Sequence, residues 1–340
     1  MSKRKLSRRQ AWRVQKIQDE RTERSNKRSG LIDQQISEGE LGEEQAGLVI
    51  SNYGSQVDVE SLQEDQTNNI VRCHLRANLD SLVTGDRVTW RAGNPTGVVV
   101  AKLPRKSELS RPDMQGEQRP IAANIDYIVI VLAPLPVPYA NLIDRYLVAA
   151  ESVSIRPLVL LNKKDLLNDN NRLQINELLS IYPSLGYDVL EASTKTMDGL
   201  DDLKTVLKDR TSVFVGQSGV GKSSLIKTLL PGVDIEVGAL SEKYSVGMNT
   251  TTIARLFHFP DGGDLIDSPG VREFGLWHME RAQVLDGFIE FRPFLGRCKF
   301  RNCLHKSEPG CELQAALERG DISERRLSSF DAIAHSLEML

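Results

Sequence analysis

Residues 216–223 read Gly-Gln-Ser-Gly-Val-Gly-Lys-Ser and fit the spacing G-x-x-x-x-G-K-[ST]. The glycines let backbone N–H groups wrap a polyphosphate without Cβ clashes. Lys222 brings a cation to the β- and γ-phosphates, and the Ser223 hydroxyl suits Mg2+. The expected phosphate contacts are Gly216, Gln217, Ser218, Gly219, Val220, Gly221, Lys222, Ser223 and Ser224. An apolar run, Val213-Phe214-Val215, precedes them and a helical stretch follows, which is the strand–loop–helix setting this chemistry needs.

Downstream, Asp267-Ser268-Pro269-Gly270 follows the apolar pair Leu265-Ile266. D-x-x-G at a strand end sets a carboxylate near a Mg2+ shell and a glycine amide near the γ-phosphate. Between the two motifs lie three threonines, 250–252, of which Thr251 is the expected second hydroxyl on Mg2+; a structural threonine run in a strand is the alternative. The expected catalytic set is Lys222, Thr251, Asp267 and Gly270.

The base is read from Asn162-Lys163-Lys164-Asp165, which follows the apolar run ending at Leu161. A carboxylate at Asp165 accepts hydrogen bonds from guanine's ring N–H and exocyclic amine. Adenine lacks both donors and would leave a charged acceptor unpaired, and a charged hydrogen bond is worth roughly 1.5–3 kcal/mol. Lys163 would lie along the base plane. Ser193-Thr194-Lys195 stands where a loop would support the guanine carbonyl. GTP with Mg2+ is therefore expected over ATP.

The order is unusual. The base motif comes first, then the support loop, the phosphate loop, the threonines and Asp-x-x-Gly. Each keeps its strand context, so the pattern is that of a circular permutation, which is tolerated where chain ends lie close together at the surface. The new end falls just after Asp-x-x-Gly, and the C-terminal segment continues directly from it.

A second constellation, Cys298, Cys303, His305 and Cys311, has the spacing C-x4-C-x-H-x5-C. Three thiolates and an imidazole make a closed tetrahedral set typical of structural zinc, with no open position for catalysis. Free buried thiols are the alternative. Lys299, Arg301 and Lys306 interleave the ligands, which suits a phosphate backbone.

These motifs need scaffolds to hold them. The 340 residues are 40% hydrophobic and 26% charged, as in ordinary globular proteins. Net charge is −3, yet residues 1–30 hold eleven Lys and Arg against three acids. A basic arm on an acidic body suits an anionic partner. No apolar stretch approaches the roughly 18 residues of a membrane helix, and no apolar core follows the basic N-terminus, which excludes a secretory signal. An odd cluster of three cysteines near a histidine suggests metal in a reducing compartment, so a cytoplasmic protein is expected.

Short alternating strands are expected at 47–52, 56–60, 70–75, 87–91 and 97–103, separated by Gly-rich turns. They suit a small closed barrel of the OB type, with an SH3-like barrel or a plain sheet still open. From 126 to 269, buried strands alternate with helical segments, which implies a parallel sheet covered on both faces. The last segment reads as helical. The expected fold is multidomain: a basic, flexible arm over 1–40, an all-β OB-type barrel over 41–110, an α/β circularly permuted P-loop domain over 111–276, and a helical zinc-binding domain over 277–340.

With the motifs in this order, the chain over about 40–340 resembles the circularly permuted, ribosome-associated GTPases of the RsgA (YjeQ) family. The stretch DSPGVREFGLW at 267–277 is specific to that resemblance. It implies a GTPase acting late in small ribosomal subunit (30S) maturation, with the subunit, its rRNA and GTP/GDP as partners, no membrane, and a monomeric chain. It also implies guanine contacts at Asn162, Lys163 and Asp165, phosphate contacts from Gly216 to Ser224, and one zinc on Cys298, Cys303, His305 and Cys311. One position departs from the family pattern: His often precedes the threonines, and here Asn249 does. Asn can hydrogen-bond a water but cannot act as a base near neutral pH. A GTP-responsive RNA-binding scaffold with incidental hydrolysis is the alternative function.

Overall fold

The computed structural model describes residues 41–63, 69–76, 79–112, 116–233, 253–267, 279–306 and 308–338. The N-terminal arm, residues 249–252 and residues 268–277 lie outside the described residues, and with them Thr251, Gly270, Asn249 and Val271. The chain divides into two compact units, Met1–Pro104 and Arg105–Leu340.

The first unit is built from β1 (Glu44–Asn52), β2 (Gln56–Ser61), β3 (Ile70–Leu75), β4 (Arg87–Arg91) and β5 (Gly97–Lys102). The antiparallel pairs β1–β2 and β2–β3, parallel β3–β5, and antiparallel β4–β5 and β1–β4 close a ring. This order, 1-2-3-5-4-1, is the five-stranded OB arrangement, and it decides against a plain sheet. Alternation along each strand sends Val49, Val57, Val59, Cys73, Val88, Trp90 and Val99 into one core. Closure needs tight corners. Register shifts at Val49/Ser51 and Thr89/Trp90 bend the strands. Gly47 leaves room for the indole, since a Cβ there would stand 2.5 Å from Trp90 Cδ1.

The second unit begins with an antiparallel hairpin, β6 (Glu108–Pro112) and β7 (Gln118–Ala123). Its main sheet contains β8 (Tyr127–Leu132), β9 (Arg156–Leu161), β10 (Asp188–Glu191), β11 (Thr211–Val215), β12 (Arg255–His258) and β13 (Asp264–Asp267). The strand order is β10-β9-β8-β11-β13-β12, parallel except for the antiparallel β12–β13 pair. Helices α1 (Ala140–Ser152), α2 (Arg172–Leu179), α3 (Ile181–Ser184), α4 (Leu200–Leu207) and α5 (Lys222–Leu229) fill the crossovers. All six residues of β8, Tyr-Ile-Val-Ile-Val-Leu, are buried, as expected of a strand covered on both faces. Leu200, Leu203 and Leu207 recur at helical spacing on α4 and join Leu225 and Leu229 of α5 in the core.

The unit ends in α6 (Arg281–Asp286), a 3-10 turn (Ile289–Phe294), α7 (Glu312–Arg319) and α8 (Glu324–Glu338). Glu280 and Gln283 form a reciprocal capping box that starts α6. Phe288 stacks on Phe291 at 4.9 Å between centroids, and both meet the Phe330 ring edge-on. Beside this aromatic cluster lies Arg326, fully buried and paired with the equally buried Asp144 of α1 at 2.5 Å. Its Nε also donates to Glu290 Oε1 at 2.6 Å, and Tyr182 of α3 donates to Asp144 Oδ1 at 3.0 Å. Burial opposes the Arg326 charge, but Asp144 and Glu290 outweigh it and raise the pKa above that of an ordinary arginine. No helix among the described residues is long and apolar enough to cross a membrane.

Candidate nucleotide and metal sites

Parallel strands share one carboxyl edge, and the crevice outside that edge is where open α/β sheets bind ligands. Four motif-bearing loops leave the sheet there. Asn162 follows β9, Ser193 lies two residues past β10, Gly216 follows β11, and Asp267 is the last residue of β13.

The phosphate loop turns on three glycines with φ of +137° (Gly216), +83° (Gly219) and +94° (Gly221). Only glycine takes such values without strain. Two of them also admit close neighbours. A Cβ on Gly216 would fall 2.3 Å from Val131 O, and one on Gly221 would fall 2.4 Å from Asn162 Nδ2. The loop runs into α5, whose N-terminal amides and dipole favour an anion. Lys222 Nζ donates to Gly216 O at 2.7 Å and to Gln217 O at 2.6 Å, so the ammonium sits across the loop. Ser218, Gly219 and Ser224 are exposed, Gln217 and Ser223 half-buried, and Val220 buried.

The base motif is bound to this loop. Asn162, fully buried, donates from Nδ2 to Val220 O at 2.9 Å, and Lys163 Nζ donates to Gly219 O at 2.5 Å. Asn162 Oδ1 is buried with no hydrogen-bond partner among the described residues. Lys163 has φ +58°, a left-handed kink that starts the 3-10 turn Lys164–Leu166. The Asp165 side chain is 12% exposed; its Oδ1 accepts from Ser193 Oγ at 2.6 Å, and Lys195 Nζ stands 3.8 Å from Oδ2. Ser193 Oγ in turn accepts from the amides of Lys195 and Thr196, and Thr194, between Ser193 and Lys195, is half-buried. Lys164 turns another way, to Asp198 at 3.1 Å and Glu191 at 3.6 Å, and clamps the base motif to the support loop. Asp198 raises its pKa most. Neither acid stands out in the sequence, because only the fold brings 191 and 198 to 164.

The second cluster lies between the 3-10 turn and α7. The ligand atoms of Cys298, Cys303, His305 and Cys311 all lie within 4.8 Å of one another. Cys298 Sγ and Cys311 Sγ each stand 3.5 Å from His305 Nδ1. Sulfur at about 2.3 Å and nitrogen at about 2.05 Å from one tetrahedral ion are roughly 3.5 Å apart, so the donor set fits zinc. Burial lowers the His305 pKa, which favours the neutral imidazole that a metal requires. The backbone holds the knuckle open: Glu308 accepts from the amides of Leu304 and Lys306, and the Glu312 amide donates to Cys298 Sγ at 3.3 Å. Arg281 Nη2 donates to Leu304 O at 2.8 Å and pairs with Asp331 of α8.

The family model for the RsgA GTPase matches residues 102–277, a span that holds every nucleotide motif above. A relative in Hahella chejuensis, named small ribosomal subunit biogenesis GTPase RsgA, is 58% identical over 339 residues, covering 99% of this chain and 97% of its own. The chain belongs to the RsgA GTPase family. An Azotobacter vinelandii relative of the same name is also 58% identical, over 99% of this chain and 98% of its own. Among solved structures, YjeQ from Thermotoga maritima matches at TM-score 0.71 and 30% identity, covering 87% of this chain and 99% of that one. YloQ, titled a circularly permuted GTPase, matches at TM-score 0.69 and 29% identity, covering 87% and 96%. The RsgA likeness thus extends beyond the family model into both the barrel and the C-terminal segment.

Proposed function

We propose that the chain hydrolyses GTP to GDP and phosphate while docked on the small ribosomal subunit and its rRNA, and that it assists or checks the subunit's late maturation in the cytoplasm. The observation that carries the nucleotide half is the bonding of Asn162 and Lys163 to the backbone of Val220 and Gly219. It joins a base motif to a phosphate loop that follows it by some sixty residues, so one ligand spanning both is the economical reading. The subunit half rests on the printed names of relatives 58% identical over nearly the whole chain.

In this reading Asp165 accepts from guanine and Ser193 holds its carboxylate in place. The amides from Gly216 to Ser224 and the Lys222 ammonium bind the phosphates. Ser223 and Thr251 would hold Mg2+, with Asp267 beside it and the Gly270 amide toward the γ-phosphate. Bound there, the ion would supply positive charge to offset the negative charge developing on the transferring phosphoryl group. Cys298, Cys303, His305 and Cys311 hold one structural zinc. The motifs offer no side chain that would place the attacking water: a Gln after the Asp-x-x-Gly glycine does this in Ras-like enzymes, and here the position holds Val271, whose side chain has no hydrogen bond to give. Asn249 supplies no base either. Turnover by the isolated protein is therefore slow.

Purified small subunits are expected to raise kcat at least about tenfold, or about 1.4 kcal/mol of barrier. GTP turnover measured with and without subunits checks this, and equal rates would favour the scaffold reading.

Gly221 offers a second check. Gly221→Ala places a Cβ against the Asn162 amide at a φ of +94°. Left-handed backbone alone costs a non-glycine residue about 1–2 kcal/mol. GDP affinity should fall at least about tenfold, as read by titration with a fluorescent GDP; unchanged affinity would separate the base loop from the phosphate loop.

A further inference from the structure

The base motif sends its two lysines in different directions. Lys163, at the left-handed kink, reaches Gly219 O of the phosphate loop, and Lys164 reaches the loop after β10. Lys164 Nζ stands 3.1 Å from Asp198 Oδ2 and 3.6 Å from Glu191 Oε2. These acids mark the two ends of the support loop: Glu191 closes β10, and Asp198 lies two residues before α4. The loop is pinched there. The Ser193 amide donates to Asp198 O at 2.9 Å, and Gly199, with φ +72°, packs so closely that a Cβ would collide with the Glu191 carbonyl. Lys164 thus sets one cation against two carboxylates at the neck of the loop that carries Ser193. Its own backbone amide donates to Ala192 O at 3.0 Å, so a single residue ties the base motif to the support loop through main chain and side chain alike.

Asp165 comes next in sequence, and its Oδ1 meets Ser193 Oγ across the same junction. That bond holds the carboxylate only as well as the two loops are held to each other. A carboxylate that must meet two donors on one flat edge tolerates about 0.5 Å of displacement. We infer that Lys164, through Asp198 and Glu191, is a positioning residue for Asp165 and thereby helps to set the choice of guanine over hypoxanthine. The role rests on the GTP reading of the site. It gives the third position of Asn-Lys-x-Asp a task in specificity, although its side chain faces the support loop.

Hypoxanthine keeps guanine's ring N–H and lacks the exocyclic amine, so the ratio of GDP to inosine diphosphate affinity reports how well the second Asp165 bond is made. The two nucleotides carry the same phosphates, and the loss of a nearby cation cancels in their ratio. Lys164→Met keeps an unbranched stem and removes the charge. An exposed ion pair contributes at most a few-fold to an equilibrium constant, so the ratio, read by competition with a fluorescent GDP, should fall about two- to fourfold. Lys164→Arg keeps a cation for both acids and should retain most of the wild-type ratio. Added salt should bring the wild-type ratio toward that of Lys164→Met, whose own ratio should barely move.

Asp198→Asn should lower the ratio too, and because Asp198 is exposed it keeps the test readable even if Lys164→Met does not fold. In the Lys164→Met background it should add little further loss. Full additivity would remove Asp198 from the role. A merely structural lysine would lower Tm or weaken both nucleotides alike with the ratio unchanged, and that result would overturn the assignment. If wild type binds inosine diphosphate as tightly as GDP, the GTP reading of the site falls. If wild type discriminates and both variants discriminate equally well, only the role of Lys164 falls.

Discussion

Asp165→Asn is expected to convert the protein from a guanine reader to one that prefers xanthine nucleotides. Guanine offers two donors to the carboxylate, its ring N–H and its exocyclic amine. Xanthine presents a carbonyl in place of that amine, and an amide can donate to it. The local geometry favours a clean exchange. Ser193 Oγ donates to Asp165 Oδ1 at 2.6 Å, so an asparagine keeps its oxygen on that side and leaves Nδ2 free for the base. Two charged hydrogen bonds of about 1.5–3 kcal/mol each give a loss in GTP affinity on the order of a hundredfold or more. Competition between GTP and XTP for a fluorescent nucleotide measures it. Full guanine selectivity in the variant would remove Asp165 from the base site.

Removal of the proposed zinc should have the other large effect. Structural zinc contributes about 10–16 kcal/mol of binding free energy in small zinc-finger peptides, and that energy is folding energy. Here the ligands start α7, since Cys311 is its N-cap and the Glu312 amide donates to Cys298 Sγ. The Arg281 bond to Leu304 O also hangs on the loop between two ligands. Elemental analysis should find one zinc per chain. Strong chelator should lower Tm, loosen α7 and expose three reactive thiols, while Cys73 stays shielded in the barrel core at 0% exposure. Thiols that react freely before chelation, with no stoichiometric metal, would reduce the cluster to ordinary cysteines.

Much of this was legible because each motif carries its own punctuation. Val-Phe-Val before Gly216 and Leu-Leu before Asn162 announce strands, and β11 and β9 lie where those runs fall. The barrel was legible as five strands of an OB-type closure, but not in its individual pairings. Period-two alternation says which residues face inward; that β3 pairs with β5, parallel, and β1 with β4 is a long-range choice. The β6–β7 hairpin was not legible, since Pro112 and Pro120 in polar surroundings read as loop. Helices α2 and α3 hide for a related reason: Asn-rich residues precede them, Leu173 is exposed, and Pro183 lies inside α3. In the candidate site, residue types gave the motifs and the fold supplied the partners. Lys164 beside Asp198, and Asn162 beside Val220, depend on loops meeting across the sheet edge.

The Asp144–Arg326 pair also orders events in time. The two residues are 182 positions apart. Synthesis at about 5–20 residues per second puts roughly 10–40 s between them, while domains fold from the N-terminus as they emerge. Throughout that interval the nascent chain can assemble its parallel strands, but Asp144 has no buried cation to meet. Burying it early would leave a carboxylate held by the Tyr182 hydroxyl alone, which disfavours seating α1 before α8 arrives. A chain that stalls before α8 therefore carries every nucleotide motif without the clamp that seats α1.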